Sequence, residues 1–368
     1  MSGIYVHIPF CKAKCRYCDF ASFPDKIGFA ESYMACVYRE MAMRSNELKS
    51  YNFDTLYIGG GTPSVIDEKY IAMLVAAARK NFNLAENAEI TIEINPGTVS
   101  AKKIETYLKC GISRFSVGLQ TAIDSQLIEI GRIHNLKQFE QCAKLLKGRN
   151  FSVDVMIGLK NQSIADIEKT IGTAAYSGAN HISMYALCPE DGTPVYTDYL
   201  NGELPDSDEV AAMYEFGVKK LRQLGFERYE VSNFCKKGFE SKHNLNYWKR
   251  GEYIGFGVAA SSCISDTRLT NTFDLDEYFK CILSNHFAVK DSQKIEEAER
   301  KEEFIMLALR TSRGLNLNEY KTFFEVDFLR EFAEKIQKVR EYTEVSDEFF
   351  KIKDEYLFVQ NQIITEFI

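Results

Sequence analysis

Short apolar runs recur along the first half of the chain: IYVHI (4–8), TLYIGG (55–60), EITIEIN (89–95), RFSVGLQ (114–120), SVDVMIGL (152–159) and HISMYAL (181–187). Their length and their Val, Ile, Phe and Tyr content predict strands. Between them, at about 28–49, 67–82, 101–110, 137–147 and 164–177, apolar residues return every three or four positions, the period of an amphipathic helix. Gly111 and Gly178 stand just past two of these stretches, where helix-ending glycines belong. Strand–helix alternation at this spacing predicts βαβ units and a parallel sheet. Six units are too few for a closed eight-stranded barrel; they suit an open or partial barrel, or a doubly wound sheet.

After Gly192 the rhythm loosens. A helix at about 206–224 leads to a strand YEVSNF (229–234), and a section rich in Gly and aromatics runs through 238–265. From about 293 the pattern becomes charged helices (293–311 and 325–341) followed by β-like runs FFKIK (349–353) and LFVQN (357–361). Helices followed by a hairpin predict a small winged-helix-like module. The expected division is an α/β domain over 1–200, a connecting α/β segment over 201–290 and the module over 291–368. The module carries many glutamates and no basic face, so it reads as a lid or docking element.

Composition narrows the function classes. The net charge of −7 over 368 residues argues against nucleic acid as partner. No run approaches the ~18 apolar residues of a membrane span, and no basic-then-apolar leader opens the chain, so a cytoplasmic location is expected. Ten cysteines in a reducing compartment point to metal or redox chemistry where they cluster. Seven are scattered singly and read as small core hydrophobes. The other three, Cys11, Cys15 and Cys18, fall within PFCKAKCRYCDF (9–20).

Three thiols in one turn pose a coordination problem. Structural zinc takes four protein ligands, so a zinc site would need a remote Cys or His7 to complete it. A [4Fe–4S] cluster with one iron left free of protein is the better fit, because an open metal position lets a ligand bind. The strand ends add to this. GGGTP (59–63) follows the second strand and allows close backbone approach to a ligand. Glu93, Gln120, Arg132 and Asp154 fall at or near the ends of later strands, where chemistry gathers in parallel α/β folds. Singly each is an ordinary strand-end polar group; together they offer acceptors for hydroxyls and an amine, and a guanidinium for a carboxylate.

These residues resemble the radical S-adenosylmethionine (SAM) superfamily, whose C-x3-C-x2-C motif holds three irons of a [4Fe–4S] cluster while SAM chelates the fourth. YVHIPFCKAKCRYCDF, GGGTPS, EINPGT, SVGLQT, IGRIH, DVMIGL, EVSNF and HNLNYW are similar, in order, to the branch containing oxygen-independent coproporphyrinogen III dehydrogenase and the HemW-type haem chaperones. The resemblance implies a partial (β/α)6 barrel with a small C-terminal winged-helix-like domain. It implies Cys11, Cys15 and Cys18 as cluster ligands. Tyr5, Tyr17, Gly60, Gly61, Thr62, Glu93, Gln120, Arg132, Asp154 and Ala186 fall to SAM. It leaves open whether SAM is cleaved in turnover.

Two features favour the chaperone side of the branch. The dehydrogenase carries a fourth cysteine where this chain has Phe20, and it has an N-terminal extension ahead of the position of Tyr5. HemW-type proteins also carry H-N-x-x-Y-W, present here as His243 to Trp248. His243 is a candidate haem ligand, and Tyr247 and Trp248 offer flat faces to a porphyrin; a core histidine beside packed aromatics is the equal alternative. Cys235 is a weaker thiolate candidate. The implied partners are haem as cargo, acceptor haem proteins such as respiratory enzymes at the inner membrane face, and an electron donor of flavodoxin or ferredoxin type. A second copy of the chain is a further candidate. Lys160 replaces a usual proline, and Ala259-Ala260-Ser261-Ser262 stands where many relatives read G-A-H-S, which removes one histidine from consideration as a haem or substrate contact.

Overall fold

The computed structural model describes residues 2–368, apart from the side chain of Leu357. The six strands expected from the sequence form as β1 (Ser2–Ile8), β2 (Asn52–Gly60), β3 (Asn83–Ile94), β4 (Arg114–Gln120), β5 (Phe151–Ile157) and β6 (His181–Ala186). They pair in parallel in chain order. The crossovers carry helices α1 (Ala30–Arg44), α2 (Glu68–Asn81), α3 (Ala101–Lys109), α4 (Asp124–Glu129), α5 (Leu136–Leu145) and α6 (Ile164–Tyr176). Side chains at the helix starts explain where they begin. Asp67 and Ser100 cap α2 and α3, and Asn135–Gln138 and Ser163–Asp166 form reciprocal capping boxes on α5 and α6, each satisfying N–H groups left without partners in the first turn.

Next come α7 (Pro194–Leu200), α8 (Ser207–Gln223), β7 (Glu227–Arg228), β8 (Asn233–Cys235), α9 (Lys242–Trp248), β9 (Glu252–Phe256), β10 (Ser261–Ile264), β11 (Thr267–Asn271), α10 (Leu275–Leu283) and β12 (Val289–Lys294). The sheet grows at both edges into twelve strands, in the order β12-β11-β10-β9-β1-β2-β3-β4-β5-β6-β8-β7. β9 runs parallel to β1, whereas β8 runs antiparallel to β6. The middle segment is therefore continuous with the main sheet. A buried carboxylate fixes this join: Glu40 of α1 accepts from Gly257 N (2.9 Å), Asn271 Nδ2 (2.8 Å) and Tyr278 Oη (2.8 Å).

The C-terminal module holds α11 (Glu297–Leu309), β13 (Leu315–Asn316), α12 (Leu317–Phe324), α13 (Phe328–Glu331), α14 (Ala333–Val339), β14 (Thr343–Val345), β15 (Phe349–Ile352) and α15 (Gln360–Ile364). Its own core gathers Phe304, Tyr320, Phe328, Phe350 and Phe367. Two expectations need correction. The helix read over 325–341 is broken at Phe332, and Glu325 closes α12 in the left-handed region (φ 57°). LFVQN is no strand: its end enters α15, where Gln360, Ile363 and Ile364 are buried at helical spacing. The hairpin pairs β14 with β15 instead.

Candidate functional site

Residues from β2 to β6, the thiol loop, Ser232-Asn233 and Asn244 line one cavity of about 500 Å³. Strands so far apart in sheet order share a cavity only where the sheet curls, so the six parallel strands form a partial barrel with a polar lumen. The alternation along β4 shows how the sequence builds it. Phe115, Val117 and Leu119 are fully buried on one face, while Arg114, Ser116, Gly118 and Gln120 line the lumen. A parallel strand covered on both sides reads as continuously apolar. Period-two polarity here marks a face turned toward a ligand space.

Cys11, Cys15 and Cys18 all line this cavity and are free thiols. Burial pushes the Cys11 and Cys18 thiols up; Cys15 adds to this at Cys11, and Cys15 and Cys11 add to it at Cys18. Among the described residues no three His, Cys, Asp or Glu side chains converge as a single metal ion requires. A zinc site completed by His7 is further disfavoured, because both His7 ring nitrogens are engaged: Nε2 lies 2.8 Å from Ala21 O and Nδ1 lies 3.0 Å from Tyr5 Oη. Thiols spread round one side of a cavity suit the separate irons of a cluster. A fourth thiol, Cys188, lines the cavity too, but it bonds Glu190, and the charges bearing on it are Glu190 and Asp19, not the trio.

The glycine loop supports the thiol loop through backbone. Gly61 N donates to Ile8 O (2.9 Å) and Thr62 N to Phe10 O (2.8 Å), and Thr62 Oγ1 lies 3.5 Å from Cys11 Sγ. A Cβ at Gly61 would stand 2.8 Å from Phe10 O and 3.0 Å from Cys11 Sγ, so no side chain fits. Gly60 has φ 114° and lies against the His7 ring. Arg132 closes the other side. Its Nη2 donates to Gly118 O (2.7 Å), and its Nη1 donates to Tyr17 Oη (3.4 Å) and Cys15 Sγ (3.8 Å), while Nε is buried without a partner. Burial opposes its charge, but Tyr17 and Cys15 outweigh that and hold the guanidinium ionised.

Deeper in the lumen, Glu93 accepts from Tyr57 Oη (2.8 Å) and Gly60 N (3.1 Å), and burial pushes its carboxyl up to about 7. Burial also raises Asp154, which accepts from Ser116 Oγ (3.4 Å). Gln120 is held at φ 72° beside an irregularity in the β4–β5 pairing and accepts from Tyr185 Oη (3.0 Å). Left-handed backbone at a non-glycine residue costs energy that surrounding structure must offset, and such positions cluster at ligand sites. Of the ten SAM candidates, Tyr17, Gly60, Gly61, Thr62, Glu93, Gln120, Arg132, Asp154 and Ala186 line the cavity. Tyr5 stands behind it, stacked on Tyr57 (6.2 Å).

The structure separates the HNLNYW residues. His243 is buried with Nδ1 2.7 Å from Thr55 Oγ1 and Nε2 3.0 Å from Tyr247 Oη, and its ring stacks on Tyr57. Burial lowers its pKa to about 3. Both ring nitrogens are used, so in this conformation His243 is a packed core histidine, and iron would have to displace one of those bonds. Trp248 points to a different cavity. Among the described residues none of the C-terminal module lines the lumen cavity, so in this structure the module does not cover it. Sequence reasoning missed Tyr57, Arg114, Ser116 and Ser183, which the period-two polarity of their strands could have revealed.

Comparison with known proteins gives a consistent picture. The model of the Radical SAM superfamily matches residues 5–174, and that of the HemN C-terminal domain matches residues 295–360. A Bacillus subtilis protein named heme chaperone HemW is 34% identical over 323 residues, covering 86% of this chain and 85% of the relative. The Escherichia coli protein of the same name is 35% identical over 280 residues, 73% and 72% respectively. Among solved structures, coproporphyrinogen III oxidase (HemN) from Escherichia coli superposes with a TM-score of 0.87 at 18% identity, over 100% of this chain and 89% of that one. At that identity the superposition establishes the fold alone.

Proposed function

The chain belongs to the radical SAM superfamily and, within it, to the family named heme chaperone HemW; from that premise we propose that it binds haem as cargo and hands it to acceptor haem proteins. The observation that carries this reading is the 34% identity to such a chaperone over 85% of the relative's length. Phe20, 62% exposed at the mouth of the cavity, stands where the dehydrogenase of the branch has a fourth cysteine. The proposed reading accordingly assigns the chain no coproporphyrinogen oxidase activity.

The superfamily implies a [4Fe–4S] cluster and SAM. The trio of thiols on one wall, the side-chain-free cradle at Gly61 and the orphaned Arg132 Nε fit them. Cys11, Cys15 and Cys18 would hold the cluster, and the nine lumen residues named above would hold SAM, with Tyr5 buttressing Tyr57 from behind. When bound, this pair supplies one-electron chemistry at a sulfonium carbon. The chain's own contribution is positional. Thr62 and Arg132 hold the sulfurs of Cys11 and Cys15, Glu93 presents an acceptor for an amine, and the curled sheet limits water.

The acceptors are haem proteins such as membrane respiratory enzymes, reached from the cytoplasm by surface docking. Among the described residues no helix is long and apolar enough to cross a membrane. An electron donor of flavodoxin or ferredoxin type and a second copy of the chain complete the proposed partners. The deciding experiment supplies coproporphyrinogen III, SAM and reductant anaerobically to the reconstituted protein, and separately titrates it with ferric haem. Haem uptake without protoporphyrinogen IX is expected. Formation of protoporphyrinogen IX, or no haem uptake, overturns the reading.

A further inference from the structure

A second large cavity, about 630 Å³, lies away from the thiol loop, between the 227–249 segment and the C-terminal module. That volume is within the roughly 300–1,000 Å³ of small-molecule sites. Its apolar wall is Leu245, Trp248, Phe304 and Phe349, and Trp248 is the one tryptophan of the chain. Four cations, Arg228, Lys237, Lys249 and Arg313, line it with three acids, Glu227, Glu240 and Glu319. Glu227 is engaged by Arg222 (3.8 Å). Arg228 bonds Asp354 through Nη2 (3.1 Å), but its side chain is only 4% exposed and its Nη1 is buried with no partner. Arg228 as a whole lines the cavity, so a small shift of its guanidinium would bring this unpaired donor to an anion and remove the cost of leaving it unsatisfied.

The wall also carries one thiol, Cys235, itself 2% exposed, and no histidine. Tyr229, the one phenol there, is tied to His181 Nε2 (2.7 Å). A flat aromatic platform, an orphaned guanidinium with further cations, and a soft donor together select a planar, largely apolar ring with anionic side groups around a metal that takes sulfur. The geometry points to this cavity as the seat of the haem cargo, with the ring against Trp248, its carboxylates toward Arg228 and Arg313, and its iron toward Cys235; His243 holds the helix and not the iron. This rests on the haem reading above. On ligation the thiol proton passes to solvent, with no change of oxidation state.

The test is titration of ferric haem into the reconstituted full chain, followed by Soret difference absorbance. Retained cluster absorbance and a SAM-induced change in the reduced EPR signal establish that each variant is folded. Trp248→Ala and Arg313→Glu, the latter at an exposed position, each weaken binding at least tenfold. Cys235→Ser moves the Soret band of bound haem, and His243→Gln leaves it in place. Wild-type affinity in both Trp248→Ala and Arg313→Glu overturns the cavity. An unmoved band in Cys235→Ser, or a moved one in His243→Gln, overturns the assignment of the iron. A wild-type chain that takes up no haem defeats the functional reading itself, an outcome distinct from these.

Discussion

Replacing Gly61 by alanine tests whether the thiol loop is held by a backbone cradle. The added Cβ would stand 2.8 Å from Phe10 O, 3.0 Å from Cys11 Sγ and 3.1 Å from Ile8 O. Two of these atoms are backbone and cannot rotate away, so the cradle must open by about 0.6 Å to reach ordinary contact near 3.4 Å. Overpacking of this kind costs about 1–3 kcal/mol. The bonds at risk, Gly61 N to Ile8 O and Thr62 N to Phe10 O, contribute about 1 kcal/mol each. With both bonds lost the expected total is ~3–5 kcal/mol, concentrated where Cys11 must meet iron. After anaerobic reconstitution, Gly61→Ala should retain less than half the wild-type iron per chain and melt several degrees lower. Gly28→Ala is the control, since nothing lies within 4 Å of the Cβ it adds, and it should match wild type in both. A full iron complement with a normal SAM-induced EPR change in Gly61→Ala refutes the cradle. Lowered melting with full iron refutes it equally, because the strain would then lie elsewhere.

Three further outcomes are expected. In the chain without its cofactors, burial raises Glu93 from 4.5 to about 7, so the fold favours the neutral carboxyl. The stability this confers is complete below pH 4.5 and is lost as pH rises through 7, by about 3 kcal/mol; the wild-type-minus-Glu93→Gln difference in unfolding free energy should fall by that order between pH 4.5 and 8, and a flat difference contradicts the burial argument. Arg132→Gln removes a buried charged donor from Gly118 O, Tyr17 and Cys15. These bonds hold Tyr17 and Cys15 at the proposed SAM site, so losing one worth about 1.5 kcal/mol of positioning should lower SAM affinity measured by calorimetry about tenfold, and an unchanged affinity removes Arg132 from the site. Glu40→Ala strands the Gly257, Asn271 and Tyr278 donors; at ~1–3 kcal/mol per unsatisfied buried group, denaturant unfolding should register a loss of about 3 kcal/mol or more, and a loss below about 1 kcal/mol means the edge strands do not depend on this carboxylate.

The parallel strands were legible because their signal is local. RFSVGLQ is a strand from end to end, and GGGTP and PFCKAKCRYCDF fall at strand ends where the fold places them. Nine of the ten SAM candidates share a cavity with the three thiols, since motif spacing on successive parallel strands translates directly into position round a rim. What the sequence concealed depends on contacts distant in the chain. The join of β9 to β1 brings residue 254 beside residue 4, and its lock, Glu40, looks like any helix-surface glutamate until Tyr278 and Asn271 arrive. YEVSNF is strand only from Asn233, because Glu230 turns inward to accept from Ser232 N (2.9 Å) and to bond Asn233, bending the backbone between them.

The HNLNYW helix shows why a motif read as a list of chemistries misleads without geometry. An α-helix turns 100° per residue, so His243 and Tyr247 share a face while Trp248 projects about 140° away from His243. α9 begins with Lys242 N and His243 N donating to the Glu89 carboxylate (3.2 Å each), which fixes the helix against β3. His243 then seals the lower barrel through Thr55, and Asn246 holds Glu252 O (2.9 Å) at the start of β9. With that face committed, the opposite one is dictated: Leu245 and Trp248 must form the wall of the junction cavity. A planar ligand cannot be held by His243 and stacked on Trp248 at once unless the helix unwinds, and unwinding would release the Thr55 and Glu252 contacts together. The histidine therefore fixes the helix behind the wall of the junction cavity, and the tryptophan forms part of that wall.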